Sequence, residues 1–123
     1  MIAVIDASAL VESLDRGFGE LNDAELHVPA VADVEVFSAL RRMAASGRLT
    51  ASEARECIDD YLNLELVRHG ATRLLPRMWD MRHDISGYDA AYVVLAESLG
   101  GALVTSDLRL ARAAERYCDV LVP

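Results

Sequence analysis

Two apolar runs, each followed by an aspartate, constrain the fold of this chain most strongly. The first is IAVI at residues 2–5, before Asp6, and the second is ALVT at residues 102–105, before Ser106 and Asp107. Short uninterrupted apolar runs are typical of strands that are covered on both faces, as in a parallel sheet. We therefore expect both runs to form central strands of a parallel sheet.

Helical patterns fill most of the chain between these two runs. ASALVESLDR, directly after Asp6, predicts a short helix ended by Gly17, and Pro29 leads into a second helix closed by Gly47. Thr50 and Glu53 have the spacing of a capping box at the start of a third helix. Residues 72–83 predict a further helix, with Pro76 tolerated if it falls in the first turn.

The remaining segments complete an alternation of strands and helices. Residues 26–28 are expected to form a minor strand or connector, LELVRHG an edge strand, and VLV a last short strand. Ser86 is expected to cap the apolar helix DAAYVVLAESL, and LRLARAAERY predicts the final helix. This order predicts an α/β fold, a three-layer α/β/α sandwich with a central, mainly parallel sheet, formed by residues 1–123 as a single domain.

Charge and composition exclude several classes of protein. The chain has 20 acidic and 12 basic residues, a net charge of -8, and every basic residue is an arginine. The acidic surplus argues against unaided, non-specific binding to nucleic acid and suits a protein that gathers cations or meets a basic partner. Without lysine, the chain cannot be a P-loop, Schiff-base, response-receiver or haloacid-dehalogenase-like enzyme, and Ser8 also breaks the Asp-x-Asp motif of the last class.

The cysteines and the N-terminal residues indicate the cellular compartment that we expect for this protein. The two cysteines, Cys57 and Cys118, are far apart in the sequence, and Cys57 lies within a helical pattern, which favours a small core residue. No apolar run approaches the roughly 20 residues that cross a bilayer, and no signal peptide is evident. We expect a cytoplasmic protein with reduced thiols and no membrane association.

Acidic side chains follow the two central strands, where α/β proteins bind their ligands. Asp6 and Asp107 lie directly beyond the carboxyl ends of these strands. Each could instead only cap the helix that follows it, and for either residue alone the cap is the favoured interpretation. Asp89 lies three residues after Ser86, so it could equally be the acidic half of a capping box.

The second helix carries two further acidic candidates. On a helical wheel, Val36, Phe37 and Leu40 belong to one apolar stripe, and Glu35 projects roughly 140° from the centre of that stripe. Glu35 is therefore expected to face solvent or a cleft. Asp33 falls within the angular range of the stripe, where it is either the helix cap or a rival acidic ligand.

Clustered carboxylates would require a positive counterion. Two carboxylates 4 Å apart repel by about 4 kcal/mol at an effective dielectric constant near 20. If several converge, they must take up protons or be neutralised by a cation. An all-oxygen set without His or Cys suits Mg²⁺ or Mn²⁺. Such ions bind phosphate oxygens and activate water, so hydrolysis of a phosphodiester is the chemistry that this arrangement would serve best.

At these residues the chain resembles the PIN domain family, and in its size and layout the VapC-type toxins of bacterial toxin–antitoxin pairs. The resemblance covers essentially the whole chain. It rests on VIDASAL, on VPAVADVEVFSAL with its glutamate in an apolar helix, and on ISGYDAAYVVLAESLGGALVTSDLRLARAA. The last of these segments matches the family pattern Tyr-Asp-Ala-x-Tyr, Ala-Glu, Leu-x-Thr-x-Asp and Leu-Ala.

The resemblance implies a site and an activity. Four carboxylates, hereafter the acidic quartet, would bind one or two Mg²⁺ or Mn²⁺ ions and orient a water for attack on RNA: Asp6, Glu35, Asp89 and Asp107. Asp6 and Asp107 would be the firmest metal ligands, and Glu35 would bind through water or help deprotonate it. Ser8 could hydrogen-bond a ligand or metal water, or only cap its helix, and Thr105 and Ser106 are weaker candidates for supporting hydroxyls.

The resemblance also implies partners. These are an RNA substrate, a second copy of the chain in a homodimer, and a cognate antitoxin whose C-terminal segment occludes the acidic groove. A catalytically inactive PIN-like binding module and a PIN nuclease of RNA maturation remain the alternatives. The arginines that would hold RNA stay open, because helix-face arginines are usually solvated or paired with acidic residues.

Overall fold

A five-stranded sheet forms the centre of the molecule. The computed structural model describes all 123 residues. The strands are β1 (Ile2–Ile5), β2 (Glu25–Pro29), β3 (Leu66–His69), β4 (Ala102–Val104) and β5 (Asp119–Leu121). They lie in the order β3-β2-β1-β4-β5, and every neighbouring pair is parallel. The sheet is therefore wholly parallel, where the sequence predicted a mainly parallel one.

Six α-helices connect the strands. They are α1 (Ala7–Arg16), α2 (Ala32–Ala45), α3 (Ala51–Leu62), α4 (Leu75–Asp80), α5 (Gly87–Leu99) and α6 (Leu108–Ala114). Helices α1, α2 and α3 pack on one another, whereas α5 packs on β1, β2 and β4 and is contacted by α4. Right-handed crossovers in this strand order place α1–α3 on one face of the sheet and α4–α6 on the other. The predicted α/β/α sandwich is confirmed.

Several local predictions are confirmed, and the reasons lie in short-range interactions. Helix α1 ends at Gly17, whose φ of 96° is costly for any residue with a Cβ. Thr50 and Glu53 form the predicted capping box at the start of α3, and Cys57 is buried in the core. Strand β3 lies at an edge of the sheet, as predicted.

Other predictions need correction. Strand β2, expected to be minor, pairs with both β1 and β3, and Leu26 to Pro29 are buried. The helix predicted for residues 72–83 is reduced to α4, with Pro76 in its first turn. Ser86 occupies the N-cap position of α5, but its hydroxyl donates to the carboxylate of Asp89 and caps no backbone N–H.

The core is contiguous across the sheet. Its largest fully buried side chains include Tyr92, Ile5, Leu10, Leu40 and Met81, which come from both helical layers and the sheet. Helix α5 is buried along Ala90 to Ala96, as its apolar sequence predicted. None of the six helices combines the length and apolar character that a bilayer-spanning helix requires.

Candidate active site

The strand order creates a switch point between β1 and β4. The chain leaves β1 towards β2 and leaves β4 towards β5, so the two connections diverge at the carboxyl ends of neighbouring strands. In open α/β sheets, a crevice at such a point is the usual ligand site. Asp6 follows β1 and Asp107 follows β4, so both residues lie beside this crevice.

A cleft of about 930 Å³ opens at this edge and is lined by all four members of the acidic quartet. Asp6 and Asp107 come from the ends of β1 and β4, Glu35 from the first turn of α2, and Asp89 from the first turn of α5. Helix α2 starts where β2 ends, at the carboxyl edge of the sheet. Helix α5 leads back to the start of β4 at the opposite edge, so it also begins at the carboxyl edge. The fold thus brings four residues from distant parts of the sequence to one opening.

Asp6 is the most firmly held of these carboxylates. It is only 5% exposed. Its Oδ1 accepts hydrogen bonds from Ser8 Oγ at 2.7 Å and from the backbone N–H of Ala9 at 2.9 Å, and its Oδ2 accepts one from Thr105 Oγ1. The bond to Ala9 makes Asp6 the N-cap of α1, so the capping role and a place in the cleft coincide.

Asp107 and Thr105 continue this hydrogen-bonded arrangement on β4. Thr105 Oγ1 accepts from the backbone N–H of Asp107 at 3.0 Å while it donates to Asp6. Asp107 Oδ1 caps α6 by accepting from the N–H groups of Arg109 and Leu110. The fully buried Thr105 hydroxyl therefore joins the two strand-end aspartates.

Ser106 and Ser8 connect the loop after β4 to α1. The backbone N–H of Ser106 donates to Ser8 Oγ at 3.2 Å, and Ser106 Oγ donates to Glu12 Oε2. The prediction that Ser8 caps α1 is wrong, because the cap is Asp6 and Ser8 donates to that carboxylate. Contact between Ser8 and a ligand stays a prediction, and Ser8 lines the cleft. Glu12, which also lines the cleft, has no local sequence signal because its partner is 94 positions away.

Glu35 faces the cleft, as its position on the helical wheel predicted. Its Oε1 accepts a hydrogen bond from the hydroxyl of Tyr92 at 2.6 Å, which joins α2 to α5. No role was predicted for Tyr92 from the sequence. The available signal was a tyrosine inside an otherwise apolar, buried helix, since a buried phenol needs a hydrogen-bond partner.

Asp33 does not lie in the cleft, and both roles predicted for it are wrong. The N-cap of α2 is Val31, and Asp33 Oδ1 accepts hydrogen bonds from Tyr61 Oη at 2.6 Å and from Arg68 Nε at 3.1 Å. Tyr61 and Arg68 hold the pKa of Asp33 below its ordinary value despite the opposing effect of burial. Asp33 is therefore a stabilised surface anion on the side of α2 that meets α3 and β3.

The electrostatics of the cleft are those of crowded anions. Burial raises the pKa of Asp6, of Glu35 and of Asp89 above the ordinary values, and hydrogen bonds partly oppose this increase. Repulsion between the carboxylates raises these pKa values further. The charge of Asp89 raises the pKa of Asp6, and the charges of Asp89 and Asp6 raise that of Glu35. The charge of Asp107 raises the pKa of Asp89. The quartet therefore shares one electrostatic environment that favours a proton or a cation.

The chemistry of the donor set fits a hard divalent ion. Glu35 Oε2, Asp89 Oδ1 and Asp107 Oδ2 make no hydrogen bond to the protein and remain available as ligands. No three carboxylates are already drawn together closely enough to hold an ion, so binding would require the side chains to converge. Oxygen donors of this kind suit Mg²⁺ or Mn²⁺ and not a thiolate-selecting metal.

An open parallel sheet with carboxylates at its switch point places the chain among α/β proteins with an acidic site. Comparison with known proteins identifies the family. The PIN domain family model matches residues 3–116. The chain belongs to the PIN domain family. It is 42% identical over 122 residues to VapC ribonuclease Mb0985 from Mycobacterium bovis, covering 97% of this chain and 96% of that protein. It is 39% identical over 117 residues to Ribonuclease VapC3 from Mycobacterium tuberculosis, covering 89% and 85%.

Solved structures agree with this fold. PAE2754 from Pyrobaculum aerophilum superposes with a TM-score of 0.73 at 25% identity, covering 97% of this chain and 83% of that chain. VapBC2 from Rickettsia felis, bound to a DNA fragment from its promoter, gives a TM-score of 0.72 at 12% identity, covering 99% and 98%. At such low identity the second likeness shows the fold alone.

Proposed function

We propose that this protein is a metal-dependent endoribonuclease and the toxin of a toxin–antitoxin pair. The observation that carries the proposal is the acidic quartet, whose four members follow β1 and β4 or lie in the first turns of α2 and α5, and line a single cleft at the switch point. The ribonuclease names of the VapC relatives, which match nearly the whole chain, support RNA as the substrate.

Asp6, Asp89 and Asp107 would hold Mg²⁺ or Mn²⁺, with Glu35 as a further or water-mediated ligand. When bound, the ion would supply charge neutralisation for the phosphate and a water of lowered pKa. Glu35 is suited to receive a proton at Oε2, because Tyr92 occupies only Oε1 and burial raises the carboxyl pKa. Thr105 and Ser8 would hold Asp6 in one orientation while the cleft binds substrate.

The partner proposals follow the family. An antitoxin with a basic side chain would cover the acidic cleft, and the net charge of -8 suits such a partner. We further propose that the whole chain acts as one cytoplasmic domain and assembles as a homodimer. Co-purification with a small DNA-binding protein encoded next to this chain would test the antitoxin, and light scattering would test the dimer.

Cleavage of RNA by the purified protein tests the enzymatic proposal. We expect cleavage in the presence of Mg²⁺ or Mn²⁺, none in EDTA, and none by Asp6→Asn or Asp107→Asn. The matched control is Asp23→Asn, which removes the same charge from an exposed residue outside the cleft. If the wild-type protein binds Mg²⁺ but leaves all RNA intact, the catalytically inactive binding module becomes the correct interpretation.

A further inference from the structure

The acidic cleft continues as a groove between α1 and α2. Both helices start at the carboxyl edge of the sheet, because each follows one of the two neighbouring parallel strands β1 and β2. The groove-lining positions recur at helical spacing on both walls: Ser8, Glu12 and Asp15 on α1, and Glu35, Ser38 and Arg42 on α2. The groove therefore runs away from the quartet along the length of both helices.

Three arginines line the far end of this groove and are called the arginine rim: Arg16, Arg42 and Arg48. Arg16 is the last residue of α1, Arg42 lies in the last turn of α2, and Arg48 lies in the turn before α3. At 1.5 Å per residue, Arg42 is about 10 Å along α2 from Glu35, and Arg16 is about 15 Å from Asp6. This separation exceeds the spacing between neighbouring phosphates of a nucleic-acid strand.

The arginine rim is not used to stabilise the fold. All three residues are exposed, and none of them forms an ion pair, whereas Arg55, Arg68, Arg77 and Arg116 are each paired with a carboxylate. Other arginines of the chain, Arg41 among them, are also unpaired, and what distinguishes the arginine rim is that its three members line one groove.

The acidic residues of the groove do not neutralise the arginine rim. Glu12 is engaged by Ser106 near the quartet, which leaves Asp15 as the acidic side chain at the far end. Among the residues that line this end of the groove, three arginines against one aspartate leave a surplus of two positive charges. The groove therefore has a negative end and a positive end, and Arg42 is near enough to Glu35 to oppose the increase in its pKa.

We propose that the arginine rim binds the backbone phosphates of a single-stranded RNA substrate whose scissile phosphodiester lies at the acidic quartet. This inference rests on the proposed ribonuclease function. Guanidinium groups bind phosphate oxygens with paired, charge-assisted hydrogen bonds and do not lose their charge at physiological pH. A polymer of phosphates suits a groove with this polarity, because one phosphate meets the metal site while others meet the positive end.

Such contacts would set affinity and register but not sequence preference. Phosphate contacts carry no information about the bases, so the arginine rim positions the strand and leaves base selection to other groups. It would also overcome the repulsion between RNA and a protein with a net charge of -8 by concentrating positive charge where the strand passes.

Binding of a short, fluorescein-labelled single-stranded RNA in EDTA, where no metal-dependent cleavage occurs, provides the test. Each single variant Arg16→Ala, Arg42→Ala and Arg48→Ala should reduce the salt slope of log Kd by about 0.7 and weaken binding roughly fivefold at 0.1 M salt. The matched control is Arg41→Ala, since Arg41 is also exposed and unpaired but lies outside the groove. In cleavage assays with Mg²⁺, the three variants should raise KM and leave kcat nearly unchanged.

The outcomes separate this inference from the proposed function. If the wild-type protein cleaves RNA but the three variants match Arg41→Ala in salt slope and KM, the inference is overturned and the ribonuclease stands. If the variants lose binding of a polyglutamate peptide but retain RNA binding, the arginine rim is a protein-docking site and the inference is again wrong. If the wild-type protein cleaves no RNA, the proposed function itself fails.

Discussion

The hydroxyl of Tyr92 donates a 2.6 Å hydrogen bond to Oε1 of Glu35, and this contact joins the two helical layers above the carboxyl edge of the sheet. Tyr92 is 1% exposed, so its phenol has no access to solvent as an alternative partner. The bond fixes the direction of the Glu35 carboxylate, and burial, followed by this bond, raises the pKa of Tyr92. Glu35 thus enters the cleft with one oxygen occupied and one free.

Removal of this hydroxyl should affect both stability and activity. We expect Tyr92→Phe to lower the free energy of unfolding by about 1.5–3 kcal/mol, the usual worth of a hydrogen bond to a charged group. Metal-dependent RNA cleavage should fall because Glu35 loses its orientation. Urea denaturation and a cleavage assay measure the two effects. Tyr88→Phe is the matched control for the unfolding measurement, since Tyr88 is on the same helix, is exposed and donates no hydrogen bond. Equal losses of stability in both variants would contradict the contribution of the Tyr92 hydrogen bond.

Two substitutions of Thr105 separate the effect of its hydrogen bonds from the effect of its packing. Thr105→Val keeps the shape but leaves Asp6 Oδ2 and the backbone N–H of Asp107 without their partner. We expect the free energy of unfolding to fall by about 2–4 kcal/mol and RNA cleavage to be largely lost. Thr105→Ser, which keeps the hydroxyl, should retain most of both. A serine variant as impaired as the valine variant would show that the lost methyl contacts, and not the hydroxyl, explain the effect.

Crowding of the quartet predicts that a carboxylate can be removed with a gain in stability. Burial raises the pKa of Asp89 above its ordinary value of 3.8, so the folded state binds that proton more tightly than the unfolded state does. Ionisation of Asp89 therefore costs stability, and this cost is absent below pH 3.8 and complete once the pH exceeds the folded-state pKa. In EDTA at neutral pH, Asp89→Asn should melt at a higher temperature than the wild-type protein, although it cleaves no RNA.

Divalent ions should reverse the order of the melting temperatures of Asp89→Asn and the wild-type protein. Mg²⁺ at 100 times its Kd stabilises a native-state site by about 2.7 kcal/mol, and the wild-type protein should gain more than Asp89→Asn does. Asp23→Asn, the exposed control, should respond to Mg²⁺ like the wild-type protein. Thermal melting with and without Mg²⁺ measures these differences. A melting temperature that Mg²⁺ leaves unchanged in the wild-type protein would contradict the metal assignment.

A histidine pair on β2 and β3 predicts a loss of stability in mild acid. His27 Nδ1 lies 2.8 Å from His69 Nε2, and His27 Nε2 lies 2.6 Å from Glu25 Oε1. Burial, and then the charge on His27, lower the pKa of His69 from its ordinary 6.5. The stability that this group contributes is complete above about pH 6.5 and is lost as the pH falls towards the lower folded-state value.

Comparison of the wild-type protein with His69→Gln separates the titration of His69 from that of the carboxylates. Between pH 7 and about pH 5, His69→Gln should lose less stability than the wild-type protein in urea denaturation. His83→Gln is the control, because His83 is exposed and has no hydrogen-bond partner. Parallel pH profiles for the wild-type protein and His69→Gln would show that the pair does not titrate on unfolding.

Sequence patterns predicted those parts of the fold that depend on neighbouring residues. The capping box of Thr50 and Glu53, the end of α1 at Gly17, and the cleft-facing side of Glu35 all follow from interactions within a few positions. Asp6 was predicted to be either a cap or a ligand. The structure shows the cap and places the residue in the cleft as well.

Features set by distant residues were missed. Asp33 was misassigned because its partners, Tyr61 and Arg68, are 28 and 35 positions away. Strand β2 was undervalued because its place between β1 and β3 depends on pairing and not on its own short sequence. The sequence left open which arginines could act together for the same reason, since Arg16 and Arg48 share a groove only when α1 and α2 are packed together.

The hydrogen bond between Thr105 and Asp6 spans 99 positions of the chain, and β4 pairs directly with β1. During synthesis, the first strand therefore emerges long before the strand that completes its edge and its carboxylate network. A nascent chain that ends before residue 102 lacks both β4 and Asp107, and one that ends at residue 106 has β4 but still lacks the aspartate. The four carboxylates are therefore first present together once the start of the final helix has been made.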